Sequence, residues 1–290
     1  MSLKIFFNGQ FVEKDQAKVS VFDHGLLYGD GVFEGIRSYS RKVFKLEEHI
    51  NRLYESADAI RLKIPIEKKE LSAKIIETLK VNALDDAYIR VVVTRGVGDL
   101  GLDPRKCARP TVFIITDKIA LYPQELYRSG LSIAIAKTKR NHPMTVDPRI
   151  KSLNYLNNIL GRIDAIDAGT EEALMLDIDG YITECTGDNI FLVKEGKLFT
   201  PPAELGALEG VTQDLVIELA ANRGIGTEYK KMYPEELEKA DECFLTGTAA
   251  EIIPVIKVGE KVIGTGKPGE IYKQLLGDFR KITETEGVGY

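Results

Sequence analysis

Tryptophan is missing from this chain of 290 residues, and cysteine, histidine and methionine are scarce, at 3, 3 and 4. Cys107, Cys185 and Cys243 are scattered, odd in number and form no CxxC pair, which argues against a disulfide framework and a cysteine zinc site. His24, His49 and His142 are equally dispersed, so no metal is expected. No apolar run approaches the roughly 20 residues that a membrane helix needs. The opening MSLKIFFNGQ lacks the long apolar core of a signal peptide. A reducing cytoplasm is the expected compartment. Basic runs are absent too. The net charge is −5, and lysines and arginines are interleaved with acids, so nucleic acid and anionic membrane are poor candidates for partners. There is no internal repeat and no low-complexity segment.

What remains is an ordinary globular composition, 44% hydrophobic and 29% charged, on a chain long enough for one large or two ordinary domains. KIFF, Asn8-Gly9 and QFVEK read as a hairpin, because Asn-Gly suits two positive-φ positions. VFEGIRSY and KVFKL read as strands. In residues 46–62, Leu46, Ile50, Leu53, Ala57 and Ile60 share a helical face, and Leu71, Ile75 and Leu79 do so in 67–81. AYIRVVVTR and PTVFIIT are β-branched and read as buried strands. SIAIAKT, EALMLDI, YITECT, NIFLVK, ECFLTGT and EIIPVIKV are further strands. Asp179-Gly180 marks a hairpin turn. Helices are expected at 212–222, stopped by Gly224, and from Pro268 to about Thr283. Strands and helices cluster rather than alternate strictly, which predicts an α/β protein of the α+β, mixed-sheet kind. A small N-terminal domain is expected at 1–117, a linker at 118–130 and a large C-terminal domain at 131–290.

RIKSLNYLNNILGR, residues 149–162, raises a question of chemistry. Leu153, Leu156, Ile159, Leu160 and Ile163 recur at helical spacing, so a helix is expected from near Ser152 with that stripe buried. Lys151 stands at its mouth with no acidic neighbour in sequence. It is either a solvated lysine or one that points into a cleft. Gly96-Val97-Gly98-Asp99-Leu100-Gly101 matches GxGxxG, but Leu102-Asp103-Pro104 follows and no helix can be drawn there, so a dinucleotide site is rejected. Gly210-Val211-Thr212 opens an amphipathic helix. Its first-turn amides and a hydroxyl offer an anion site, or Thr212 is a plain N-cap. TGTAAEI is a small-residue turn that could admit an anion, or an ordinary β-turn. Glu184, on YITEC, is either a carboxylate in want of a cation or a surface residue. His49 and Arg52, i and i+3, ordinarily form a charged helix face. A lysine, a carboxylate, an arginine and two backbone anion sites are the parts that would hold a phosphorylated pyridine aldehyde.

YGDGVFEGIRSY, HINRL, YIRVVVTRG, IKSLNYLNN, DGYITECTGDNIF, GVTQD and TGTAAEI resemble the branched-chain aminotransferases, members of the fold type IV family of pyridoxal-phosphate enzymes. The resemblance runs from residue 4 to about 283 with the motifs in family order. It implies two domains with the cofactor, pyridoxal 5'-phosphate, in the cleft between them, a homodimer at least, and a role in amino-acid biosynthesis. The implied activity is reversible transfer of the amino group of L-leucine, L-isoleucine or L-valine to 2-oxoglutarate.

By the same resemblance Lys151 is the Schiff-base lysine and the base that moves the α-proton. Glu184 bonds the pyridine nitrogen and Tyr155, one turn past the lysine, the ring hydroxyl. Arg52, Val211, Thr212 and Thr248 hold the phosphate, and Leu208, Gly210 and Gly247 belong to the same cofactor set. Thr248 and Ala249 take the α-carboxylate, with Tyr88 nearby. Tyr28, Phe33, Gly35 and Tyr122 line the side-chain pocket, and Arg90 meets the distal carboxylate of glutamate. The segment departs from many relatives in Gln213, where they carry arginine, and in Glu209 before the glycine. D-Amino-acid transaminases and aminodeoxychorismate lyases share the lysine, glutamate and phosphate grip, and a cofactor-binding carrier or regulator without turnover is the non-enzymatic alternative.

Overall fold

Asn8 and Gly9 take positive φ, 47° and 95°, and so turn strand β1 (Lys4–Phe7) back into β2 (Gln10–Glu13). The structure is a computed structural model that describes residues 3–119 and 121–290. Helix α1 (His24–Tyr28) is capped by Asp23, whose carboxylate accepts from Gly25 N–H at 2.8 Å. β3 (Gly31–Tyr39), β4 (Lys42–Val43), α2 (Leu46–Ala59), α3 (Lys68–Val81), β5 (Ala87–Thr94) and β6 (Thr111–Asp117) follow. With the late strand Val288–Gly289 they form a seven-stranded antiparallel sheet, ordered Val288–Gly289, β4, β3, β5, β6, β1, β2. The expected apolar faces of α2 and α3 are buried with Val32, Ile36, Ile89, Val91 and Val93 of the sheet. KVFKL is a strand only through Val43. Lys45 turns left-handed at φ 49° and Leu46 already begins α2.

The second unit holds α4 (Leu126–Ser129), β7 (Leu131–Ile135), α5 (Leu156–Asp167), β8 (Glu172–Leu176), β9 (Ile182–Cys185), β10 (Asn189–Lys194), β11 (Lys197–Thr200), α6 (Val211–Asn222), β12 (Thr227–Tyr229), β13 (Glu242–Gly247), β14 (Glu251–Val258), β15 (Lys261–Val262) and most of α7 (Glu270–Thr285). Its nine-stranded sheet runs β12, β11, β10, β13, β14, β7, β8, β9, with β15 on β14. The pairs β11/β12, β14/β7 and β7/β8 are parallel and the rest antiparallel, so the sheet is mixed, as expected. Sequence order and unit membership part company twice. The chain up to Ile119 is joined in the first unit by Ile150–Asn154 and Thr283–Tyr290, both of which fall within the expected domain 131–290. Within 118–130, where a linker is expected and where Ala120 lies outside the described residues, α4 forms and Tyr122 and Tyr127 are buried.

The helix after Lys151 departs from its sequence pattern. It begins at Leu156, not near Ser152, because the backbone ahead of it is already committed to a strand edge. Leu153 N–H donates to Gly31 O at 2.9 Å, and Ser152 bridges Val32. Nor is the aliphatic stripe buried. Leu156, Ile159 and Ile163 are 66%, 53% and 45% exposed, while Asn158, Gly161 and Ala165 face inward. The reason is close packing through small residues. Ala165 joins Ala134, Ala136, Ala173 and Met175 in one cluster, and a methyl on Gly161 would stand 3.1 Å from Thr186 Cγ2 and 3.2 Å from Met175 Sδ.

Candidate functional site

In the first unit the site residues gather on and beside β3. Lys151 is held at both backbone groups: its N–H donates to Ser56 Oγ at 3.0 Å, and its carbonyl accepts from Phe33 N–H at 3.0 Å. Its side chain is therefore aimed by the rung of a sheet rather than by a helix. Nζ lies 4.7 Å from the centroid of the Phe33 ring. The guanidinium of Arg90 stacks on the same ring at 4.5 Å and donates to Tyr88 Oη at 2.9 Å. Register explains the grouping, since Phe33, Gly35 and Arg37 lie opposite Val92, Arg90 and Tyr88. A side chain at Gly35 would run into the Tyr88 hydroxyl, so only glycine lets that phenol lie there.

Arg52 is not on a solvated charged face, and neither is His49. Both turn inward to Glu34, which is fully buried. Arg52 Nε and Nη2 donate to Glu34 at 2.7 and 3.0 Å, and His49 Nδ1 is 2.9 Å from the same carboxylate. Burial opposes the charge on Glu34, but the Arg52 and His49 charges and their hydrogen bonds outweigh it and hold the carboxyl far below its ordinary range. Tyr28 donates to Leu100 O at 2.6 Å, and His24 Nε2 lies 2.8 Å from Asp99 O. These bonds fasten the glycine-rich loop after β5, where no α-helix follows and Leu100 and Leu102 are 70% and 78% exposed.

In the second unit Glu184 is buried on β9 and is no surface residue, because both faces of that strand are covered. Its cation is Arg140, with Nη2 at 2.7 Å from Oε1. The other oxygen accepts from Leu208 N–H at 2.9 Å and Asn189 Nδ2 at 3.3 Å. Charge-assisted bonds of this kind favour the ionised carboxylate. Gly210, not Thr212, is the N-cap of α6, at φ −86° and ψ 126°. A glycine there offers no capping oxygen, so the amides of Val211 and Thr212 get no N-cap side chain. Gln213 turns inward and donates to Thr200 Oγ1 at 3.0 Å. Gly247 ends β13, and Thr248 and Ala249 form the half-buried turn into β14, with Ala250 O fixed by Tyr127 Oη at 2.8 Å. Tyr122 is buried, and burial, then the charges of Asp188 and Glu172, push its phenol up. Tyr155 is the N-cap of α5, and the extended stretch before it means that it does not stand one helical turn from Lys151.

Sequence reasoning missed Arg140, Asn189, Ser56 and Glu34. Glu34 had a signal: it shares one strand face with Val32, Ile36 and Ser38, and a carboxylate in an inward-facing set needs a cation. Arg140, in KTKRNHP, had none, because its side-chain partners come from three separate segments. Among the described residues no group of three or more histidines, cysteines and acids is placed to hold a metal, and no helix is long and apolar enough to cross a membrane.

The family model for class IV aminotransferases matches residues 31–258. A putative branched-chain-amino-acid aminotransferase of Methanocaldococcus jannaschii is 50% identical over 286 residues, covering 99% of this chain and 98% of its own. The crystal structure of the Escherichia coli branched-chain amino acid aminotransferase superposes with a TM-score of 0.95 at 36% identity, over 99% of this chain and 97% of that one. That of the branched-chain aminotransferase from the thermophilic archaeon Thermoproteus uzoniensis with norvaline gives 0.91 at 37% identity, over 98% and 95%. Motif order, mixed-sheet fold and full-length similarity agree, and the chain belongs to the class IV aminotransferases.

Proposed function

We propose that this protein is a branched-chain amino acid aminotransferase that exchanges the amino group of L-leucine, L-isoleucine or L-valine with 2-oxoglutarate. The observation that carries the reading is the grouping on Phe33. One aromatic ring has an amine and a guanidinium close to its centroid, at 4.7 and 4.5 Å. An apolar ring suits an aliphatic side chain, while Arg90 and the Tyr88 hydroxyl suit the second carboxylate of glutamate. One pocket then serves both half-reactions.

The donor set fits pyridoxal 5'-phosphate. Glu184, buried and bonded in a way that favours its charge, suits a protonated ring nitrogen. In the second unit the N-terminus of α6 suits a phosphate, and in the first the guanidinium of Arg52 suits one too. When bound, the cofactor supplies an electron sink for the pair left at Cα. Lys151 would hold the cofactor covalently through its amine and, once freed by substrate, would be the base that moves the α-proton. Tyr155 orients the ring hydroxyl. Val211, Thr212 and Thr248, with Leu208, Gly210 and Gly247, complete the cofactor grip. Thr248 and Ala249 hold the α-carboxylate. Tyr28, Gly35 and Tyr122 complete the side-chain pocket.

We assign the working form to a homodimer, supported by the exposed aliphatic stripe of α5. The free thiols Cys107, Cys185 and Cys243 support a cytoplasmic setting. The test is a half-reaction panel. L-Valine should convert the bound aldehyde to the amine form, read by absorbance, and D-alanine should not. Conversion by D-alanine alone would assign a D-amino-acid transaminase, and none with any amino acid would leave a carrier. Borohydride should fix the label on Lys151, and Lys151→Ala should abolish both label and turnover.

A further inference from the structure

Arg140 is 6% exposed and its guanidinium makes contacts in three directions. Nη2 reaches Glu184 Oε1 at 2.7 Å. Nε donates to Gly206 O at 2.9 Å. Nη1 donates to Asn158 Oδ1 at 3.0 Å and to Asn157 Oδ1 at 3.3 Å. The loop that Gly206 belongs to returns to the same acid, because Leu208 N–H donates to Glu184 Oε2 at 2.9 Å while Leu208 O accepts from Asn189 Nδ2 at 2.8 Å. The arginine, the acid, Asn189 and residues 206–208 thus close a ring of hydrogen bonds, and two residues further Gly210 opens α6. Asn157 and Asn158 fix the other edge of the guanidinium to α5. A planar fork with five donors is the group that can do this. A lysine could neutralise the acid but could not also bridge to a carbonyl and two amides in fixed directions.

We propose that Arg140 is a positioning residue for the cofactor's ring nitrogen: it keeps Glu184 charged and aimed, and fastens the 206–208 loop to it. The proposal rests on the reading that Glu184 faces that nitrogen. The probe pair is pyridoxal phosphate and its 1-deaza analogue, in which a C–H replaces the ring nitrogen. Apoprotein affinities are read by fluorescence titration, with the visible circular dichroism of bound pyridoxal phosphate as a second signal. Wild type should prefer pyridoxal phosphate over the analogue. Arg140→Met should weaken pyridoxal phosphate by about tenfold or more, leave the analogue nearly unchanged, and alter the dichroic band. Arg140→Lys, which keeps the charge but not the bridges, should retain only part of the preference, clearly below wild type, and that partial loss carries the test should the methionine variant not fold. Equal weakening of both ligands by both variants would make the arginine a scaffold only, and no change in either would equally overturn the proposal. Glu184→Gln separates the two levels. If it removes the preference and Arg140 variants do not, the proposal fails and the reading stands; if it leaves the preference intact, the reading itself fails.

Discussion

Glu34 shows how a single buried charge is made tolerable. Taking a carboxylate out of water is costly, and Arg52 and His49 offset that cost with three close contacts. The consequence for pH follows from the sign of the shift. The folded-state pKa lies below the ordinary 4.5, so the stabilisation is present in full above that value and is lost as pH falls toward the folded-state pKa. Glu34→Gln should destabilise the protein by about 1–3 kcal/mol, because it takes the counter-charge from the half-buried Arg52 and breaks its paired hydrogen bonds. Urea denaturation at neutral pH measures this, and repeating it in acid should show the gap between variant and wild type narrowing. In the proposed function Arg52 also meets the phosphate. Glu34→Gln should therefore weaken pyridoxal phosphate more than unphosphorylated pyridoxal in the same titration.

At the scale of elements, the start of α6 depends on what is absent from Gly210. A methyl group there would run into Asn189 Oδ1, although the φ of −86° would accept it. Asn189 would have to swing, giving up its bonds to Leu208 O and Glu184. Gly210→Ala should cost about 1–3 kcal/mol in thermal or denaturant melts, and should lower cofactor affinity. An alanine variant that melts and binds as wild type would show that the asparagine is mobile. Periodicity made α2 and α3 legible, because each buries the apolar face its spacing defines. It misled at α5, where the inward face is built of Asn158, Gly161 and Ala165. Hydrophobic spacing locates an apolar stripe but does not say which body will cover it. Candidate site residues could be named from sequence where a motif lies on one segment, as at Lys151 and Gly210. The clasp around Glu184 could not be, since hydrogen bonds between residues 140, 184, 189 and 208 leave no local pattern.

At the scale of the whole molecule, the uncovered stripe of α5 is the feature that argues for assembly. Leu156, Ile159, Leu160, Ile163 and Ile166 are all exposed on one helix. Contiguous apolar surface of this sort marks an interaction site more often than a solvated face. If the homodimer covers it, Ile159→Glu with Ile163→Glu should shift sedimentation toward the monomer and leave the far-ultraviolet dichroism of the chain unchanged. A double variant that sediments as wild type would place the contact elsewhere. Both ends of the peptide at Lys151 are nailed down, to Ser56 on one side and to Phe33 on the other. In the proposed function that anchorage leaves any excursion of the amine to the methylenes of its own stem. Shortening that arm by one carbon, as in ornithine, would leave a group of the same charge and basicity on an unmoved anchor, simply out of reach of its work.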